Sequence, residues 1–243
     1  MRVGFFVTCL VDLMRPRIGF ASLALLKSAG IEAHVPAGQT CCGQPAYNSG
    51  DLDAARTLAR KLLAEFHDCD YVVAPSGSCA GMIRVHYPSL FAGLAEAADF
   101  EQLALRTYEL TDFLVNVARL ETIPGNFAGA ITYHDSCSGL RELGVKNQPR
   151  TLLARMPGVA LREMQEPETC CGFGGTFSIK FGDISTRLSD NKCTQALNTG
   201  AEAIVGGDLG CLLNIEGRLR RRGDEKTQVR HIAEILAGET PCK

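Results

Sequence analysis

The tripeptide Cys-Cys-Gly occurs twice, as Cys41-Cys42-Gly43 and Cys170-Cys171-Gly172, and a threonine precedes each, Thr40 and Thr169. Cys9 lies 32 residues before the first pair and Cys137 lies 33 before the second. Cys79 follows Cys42 by 37 residues and Cys211 follows Cys171 by 40. Four cysteines in each half therefore correspond, at offsets of 128, 129, 129 and 132. That accounts for eight of the eleven cysteines. Cys69, Cys193 and Cys242 have no counterpart and read as small buried side chains, Cys193 near an apolar helix face.

The vicinal pair limits the chemistry. Adjacent Cα atoms sit about 3.8 Å apart, whereas an ordinary disulfide wants about 4.4–6.8 Å. A Cys-Cys disulfide would be strained, but two adjacent thiolates can bind two different metals of one cluster. Gly43 and Gly172 would let the backbone pass closely or take positive φ. Four thiolates per half match the ligand complement of a [4Fe–4S] cluster. They also match a Cys₄ zinc site, although the usual C-x₂₋₄-C pairs are absent. Three readings stay open on the pattern: iron–sulfur, which fits best, structural zinc, and thiol–disulfide exchange without metal.

Other motifs carry less. Gly172-Phe173-Gly174-Gly175-Thr176 has the look of a dinucleotide loop, but Phe177 stands where G-x-G-x-x-G needs glycine. His134-Asp135 beside Cys137 could form a thiol–base pair. Hydrogen bonding around the site is the more usual role for such residues. His34, His67, His86 and His231 have no repeated partner and read as structural. Gly206, Gly207 and Gly210 read as a tight turn before Cys211.

These cysteines need elements to hold them. Val3–Thr8 and Ala128–Tyr133 read as buried strands running into Cys9 and Cys137, because short continuous apolar runs suit strands covered on both faces. Glu32–Pro36 and Leu161–Gln165 read as second strands. A helix should follow each Cys-Cys-Gly, with Leu52, Ala55, Ala59, Leu62, Leu63 and Phe66 marking one apolar face and Ile184, Leu188 and Leu197 marking the other more weakly. Tyr71–Ala74 and Ala203–Val205 are third strands, each ending in a turn that carries Cys79 or Cys211. A last strand and helix close each half, Leu110–Leu114 corresponding to Ile232–Leu236.

Strands alternating with helices imply parallel βαβ units. The fold class is therefore α/β. Two pseudo-twofold-related repeats are expected, each a small parallel sheet flanked by helices, with cysteine-bearing loops at the strand carboxyl ends. The repeats span residues 1–122 and 127–243, joined at Glu121–Phe127. In open parallel sheets ligands gather at that edge, and helix N-termini there favour thiolates and anionic clusters.

The 243 residues are 46% hydrophobic and 21% charged, which excludes a disordered or fibrous chain. A net charge of −2 argues against a nucleic-acid binder, which would show a basic excess. The dense basic run Arg218, Arg220, Arg221, Arg222 reads as a solvated face. No stretch approaches the ~20 apolar residues that span a bilayer, and the run Val3–Val11 lacks a cleavage site. A cytoplasmic protein is expected, in which many thiols mean metal binding or redox chemistry.

The doubled order of Cys, then Cys-Cys-Gly, then Cys resembles the CCG-domain (cysteine-rich domain) proteins, which include the B subunit of heterodisulfide reductase. Phe5-Phe6-Val7-Thr8-Cys9, Cys41-Cys42-Gly43-Gln44-Pro45-Ala46, Thr169 through Ser178 and Cys211-Leu212-Leu213-Asn214-Ile215 are similar, more closely still, to the lactate-utilisation protein A family. The resemblance covers essentially the whole chain and extends to the iron–sulfur subunit of glycolate oxidase. It implies an oxidoreductase subunit that takes part in oxidising L-lactate to pyruvate with two companion proteins, one carrying ferredoxin-type clusters. The implied ligands are Cys9, Cys41, Cys42 and Cys79 for one iron–sulfur cluster and Cys137, Cys170, Cys171 and Cys211 for a second. No residue is singled out as catalytic. The full CCG pattern ends each half in Cys-x-x-Cys, but here Met82 and Asn214 occupy the last positions. Four ligands per half favour ordinary [4Fe–4S] clusters and electron carriage. The alternatives are a thiol–disulfide oxidoreductase of heterodisulfide-reductase type and a structural zinc scaffold.

Overall fold

A computed structural model describes residues 1–238. Cys242, with the rest of 239–243, lies outside the described residues. Among the described residues seven strands form two sheets: β1 (Val3–Phe5), β2 (Tyr71–Ala74) and β3 (Thr107–Glu109) in one, β4 (Gly129–His134), β5 (Val159–Leu161), β6 (Ala203–Gly206) and β7 (Gln228–His231) in the other. The orders are β1-β2-β3 and β5-β4-β6-β7, and every pair is parallel. The register repeats as well, with Val3 opposite Tyr71 and Ile131 opposite Ala203. Helices flank both sheets, so the α/β repeat expected from the cysteine spacing is the architecture present.

Three strands differ from expectation, and one of them, β5, ends at Leu161 where the strand expected over Leu161–Gln165 would begin. Glu32–Pro36 forms only an isolated parallel bridge, His34 to Gly4, where the second half has β5. The His34 N–H donates to the Val3 carbonyl just as the Arg162 N–H donates to that of Ile131. Pro36 has no N–H to extend the ladder. β1 ends at Phe5 because Thr8, with φ 72, turns the chain out of the sheet. A β-branched residue rarely takes that conformation, which costs on the order of 1–3 kcal/mol.

The helices after the two Cys-Cys-Gly loops are Leu52–Glu65 and Gly182–Asn198. The first buries Ala55, Ala59 and Leu62, as its spacing predicts. The second does not bury the face that its large apolar residues suggested. Ile184 is 55% exposed and Leu197 36%, while Ser185, Ser189, Lys192, Cys193 and Ala196 point inward. Small residues on that face let the Cys170-Cys171-Gly172 loop lie directly against the helix backbone. The run Arg218–Arg222 is largely paired rather than free. Arg218 holds Asp190 with two bonds of 2.7 Å, and Arg220 and Arg222 reach acidic neighbours.

One hydrophobic core runs through both halves, joining Val3, Phe5 and Val73 to Ile131, Ile204 and Val205. A second lies within the first half around Phe6, Phe66, Phe91 and Phe100. Arg15 and Arg17 pair across the halves with Glu216 and Glu234. The connecting segment is tied down where the Gly125 N–H donates to the Leu236 carbonyl at 2.8 Å.

β3 and β7 end in corresponding helix caps, Glu109 and His231. Glu109 Oε2 accepts from Thr111 N (2.7 Å), Thr111 Oγ1 (2.5 Å) and Asp112 N (3.1 Å). Its Oε1 is buried without a partner. Burial pushes the Glu109 carboxyl up to about 7, against the pull of the bonds from Thr111 and Asp112. The fold thus holds a proton that the unfolded chain releases near 4.5. That contribution is complete below 4.5 and is lost as pH rises through about 7. Replacing Glu109→Gln should make stability less dependent on pH across this window. Urea denaturation should show wild type losing up to roughly 3 kcal/mol relative to the variant as pH rises from about 5 to 8.

Candidate metal centres

In the second sheet the chain runs from β4 outward to β5 and then crosses to β6, and in the first the isolated bridge of His34 to Gly4 stands where the outer strand would be. The crevice this opens lies between β1 and β2, and between β4 and β6, at their carboxyl ends. Cys9 and Cys79 follow β1 and β2, and Cys137 and Cys211 follow β4 and β6. They sit in the first turns of helices rather than in loops: Cys9–Met14, Gly77–Gly81, Cys137–Leu143 and Leu209–Arg221. Ser76, Ser136 and Asp208 cap three of these helices by accepting backbone N–H groups. Gly210, read as part of a turn, lies inside the last of them. The Cys-Cys-Gly loops complete each crevice.

All four first-half cysteines line one cavity of about 440 Å³, and all four second-half cysteines line another of about 350 Å³. Cys42 Sγ and Cys79 Sγ are 3.5 Å apart. The N–H of Gly43 points at Cys41 Sγ (3.4 Å) and that of Gly172 at Cys170 Sγ (3.3 Å). The ten described cysteines are free thiols. Cys69 and Cys193 are buried in the core, away from both cavities.

The thiols within each set act strongly on one another. Cys42, Cys9 and the Gly43 N–H together hold Cys41 well below the usual thiol range. Cys137, Cys171 and the Gly172 N–H do the same to Cys170. Bonding to Cys41, with burial, pushes Cys9 and Cys42 up, and Cys137 and Cys171 rise likewise beside Cys170. Cys41 and Cys170 are therefore the favoured thiolates, and the thiols bonded to them, Cys9, Cys42, Cys137 and Cys171, are disfavoured as second charges at close range. Only a bound cation would let all four ionise together.

The two cavities share walls. Gln44, Ser78, Phe173, Gly175 and Asp208 line both. Asp208 Oδ2 accepts from Ser76 Oγ (3.0 Å) and Ser78 N (2.9 Å), joining the capped ends of the two helices across the halves. Gln44 Nε2 donates to the Ser78 carbonyl at 3.3 Å. Ser76, Ser78 and Asp208 were not singled out from sequence, although Ser76 and Asp208 both stand three residues before a repeated cysteine.

The positions of the missing fifth cysteines have other work. Met82 is fully buried in the core that contains Cys42. Asn214 Nδ2 donates to the Cys171 carbonyl at 2.9 Å, while Tyr87 Oη donates to that of Cys42 at 2.7 Å. His134 is buried beside the second set, with a ring nitrogen within 4.8 Å of the sulfurs of Cys171 and Cys211. Neither of its ring nitrogens makes a hydrogen bond of ordinary geometry, and burial lowers its basicity to about 3. Asp135 bonds to Arg150 through both oxygens at 2.8 Å, not to a thiol. Neither side chain bonds to Cys137, so the two do not form a thiol–base pair, while the Asp135 N–H donates to the Pro167 carbonyl at 3.3 Å.

The cysteine-rich (CCG) domain pattern matches residues 3–84 and 131–216 of the chain. Lactate utilization protein A of Bacillus subtilis (strain 168) is 46% identical over 237 residues, 97% of this chain and 99% of that protein. Lactate utilization protein A of Geobacillus kaustophilus (strain HTA426) is also 46% identical, over 97% of this chain and 98% of that one. Among solved structures, a hypothetical protein from Helicobacter pylori superposes with a TM-score of 0.68 at 10% identity, covering 99% of this chain. The chain spans 49% of that protein, and the likeness shows the fold alone.

Gly43 and Gly172 both take positive φ, 83° and 87°. A Cβ at Gly43 would sit 3.4 Å from the Ala55 carbonyl oxygen, a tolerable contact. A Cβ at Gly172 would collide with the Ser185 carbonyl oxygen. Gly43→Ala should then lose about 1–2 kcal/mol from backbone strain. Gly172→Ala should lose more, on the order of 3 kcal/mol, because backbone must also shift. Chemical denaturation of the two variants would show the difference.

Proposed function

The chain belongs to the cysteine-rich (CCG) domain family and, within it, to the lactate utilization protein A family, and from that membership we propose that it is an iron–sulfur electron-transfer subunit of a complex oxidising L-lactate to pyruvate. The observation that carries this reading is the doubled set of four thiols, each set gathered round one cavity at the switch point of its sheet. Four thiolates are the ligand complement of a [4Fe–4S] cluster. Cys9, Cys41, Cys42 and Cys79 would hold one cluster, and Cys137, Cys170, Cys171 and Cys211 the other. Residues 1–122 and 127–243 are the two units proposed to carry them.

Such a cluster, when bound, accepts and releases single electrons. The rest of the work falls to the chain. The Gly43 and Gly172 N–H groups stabilise negative charge on Cys41 and Cys170. Burial of Cys42 and Cys171 keeps water from one side of each set. Met82 and Asn214 supply no fifth thiolate, which supports electron carriage over disulfide cleavage. The proposed partners are companion lactate-utilisation proteins, one with ferredoxin-type clusters, through which electrons leave. The proposed location is the cytoplasm, where thiols remain reduced. Among the described residues no helix is long and apolar enough to cross a membrane.

Protein purified without oxygen should be brown and contain about eight irons and eight acid-labile sulfides per chain. Cys41→Ser should remove about half of each and leave the second site loaded. Zinc in place of iron, or a metal-free chain with free thiols, would overturn the reading.

A further inference from the structure

The two sites are built on the same frame but from different residues behind the sulfurs. Strand register places His134 in the second half where the first half has Phe6, since Cys137 and Cys9 stand three residues beyond each. The helices after the Cys-Cys-Gly loops correspond through Gly172, which faces Ser185 and Leu188, and Gly43, which faces Ala55 and Leu58. That correspondence sets Lys192 against Leu62. The inward faces agree, Ser185, Ser189 and Lys192 matching Ala55, Ala59 and Leu62. Both replaced positions are buried in both halves.

Lys192 is fully buried. Its Nζ donates to the carbonyls of Glu166 (2.8 Å) and Pro167 (3.1 Å). Burial weighs against its charge and lowers its basicity, opposed by Cys171, Asp135, Cys137 and Cys170, of which Asp135 is already held by Arg150. A buried lysine is almost always paired. Here the remaining counter-charge is the thiolate set itself. The counterparts of His134 and Lys192 in the first half, Phe6 and Leu62, are apolar and buried. Of the carboxylates near the second cavity, Asp135 is paired with Arg150 and Asp208 borders both cavities alike, while Glu142 lies 3.5 Å from His86 and keeps its other oxygen buried without a partner.

We infer that Lys192, with His134 beside it, makes the second-half site the stronger electron acceptor, so that an electron arriving at the first-half site passes on to the second. The inference rests on the iron–sulfur reading above. Added negative charge is stabilised by a nearby buried cation and by polar groups, and cluster potentials respond to local charge and burial. Phe6 and Leu62 offer the first site neither. In the transfer, one electron leaves the cluster on Cys9, Cys41, Cys42 and Cys79, which is oxidised. The cluster on Cys137, Cys170, Cys171 and Cys211 gains it and is reduced. No bond or proton moves. Lys192 is a tuning residue that touches neither substrate nor metal.

The test uses the whole chain purified without oxygen, with iron and sulfide measured first. Redox titration followed by electron paramagnetic resonance then gives the midpoint potential of each cluster, and Cys41→Ser and Cys170→Ser assign each midpoint to its half. The second-half midpoint should be the higher in wild type. Lys192→Met, which keeps the bulk and removes the charge, should lower it enough to change the equilibrium between the clusters at least tenfold, about 59 mV for one electron. The first-half midpoint should not move, and Lys192→Arg should restore the wild-type order. A wild-type first-half midpoint equal to or above the second would overturn the inference, and so would an unmoved midpoint in a loaded Lys192→Met chain. Should that variant fail to load, the wild-type order still decides. Absence of iron from wild type would instead defeat the iron–sulfur reading and the inference with it.

Discussion

A parallel sheet whose successive connections leave on opposite sides must open a crevice at the carboxyl ends of the two strands between them. This chain makes such a crevice at β4 and β6, and again at β1 and β2, where the His34 bridge to Gly4 takes the place of the outer strand. The sheet edge points helix N-termini into each opening, and Cys9, Cys79, Cys137 and Cys211 occupy their first turns. The Cys-Cys-Gly loop then needs only to fold back over the opening. Gly43 and Gly172 allow this by taking a conformation that other residues resist. The cysteine spacing is long in sequence because a helix and a strand must intervene between ligands. The same fact explains why no compact metal motif is visible.

Much of this was legible in the sequence because it is written twice. The offsets of the eight cysteines located the repeat, and the apolar runs before Cys9 and Cys137 located the first strand of each half. Tyr71–Ala74 was bounded to the residue, since a fully covered strand between polar turns has one reading. Glu32–Pro36 misled because a short apolar stretch looks like a strand even where it makes a single bridge. The helix at 182–198 misled for the opposite reason. Its large apolar residues face outward, because its inner face must stay small to admit the glycine loop. Lys192 was invisible for the same cause, as no periodicity rule looks for a lysine on the buried side.

The pairwise contacts between halves were beyond reach of sequence. Asp208 bonds to Ser76 and to the Ser78 N–H across 132 and 130 positions, and nothing local marks it as more than a helix cap. His134 and Asp135 show how adjacency in sequence separates in space. Successive residues at the end of a strand point to opposite faces, so His134 turns to the sulfurs and Asp135 to Arg150. Reading them as a couple was reasonable by sequence and fails by pleat.

The core that runs unbroken through both halves has a bearing on how such a chain came about. Val3 and Phe5 pack in the same cluster as Ile131 and Ile204, and the joining segment is pinned at Gly125. A tandem copy of one ancestral unit would begin as two exchangeable halves. Once they had grown a common interior, neither could be shed or shuffled without baring an apolar face to water. The duplication is thereby locked in, and the two copies are left free to diverge in side chains while remaining bound to one frame.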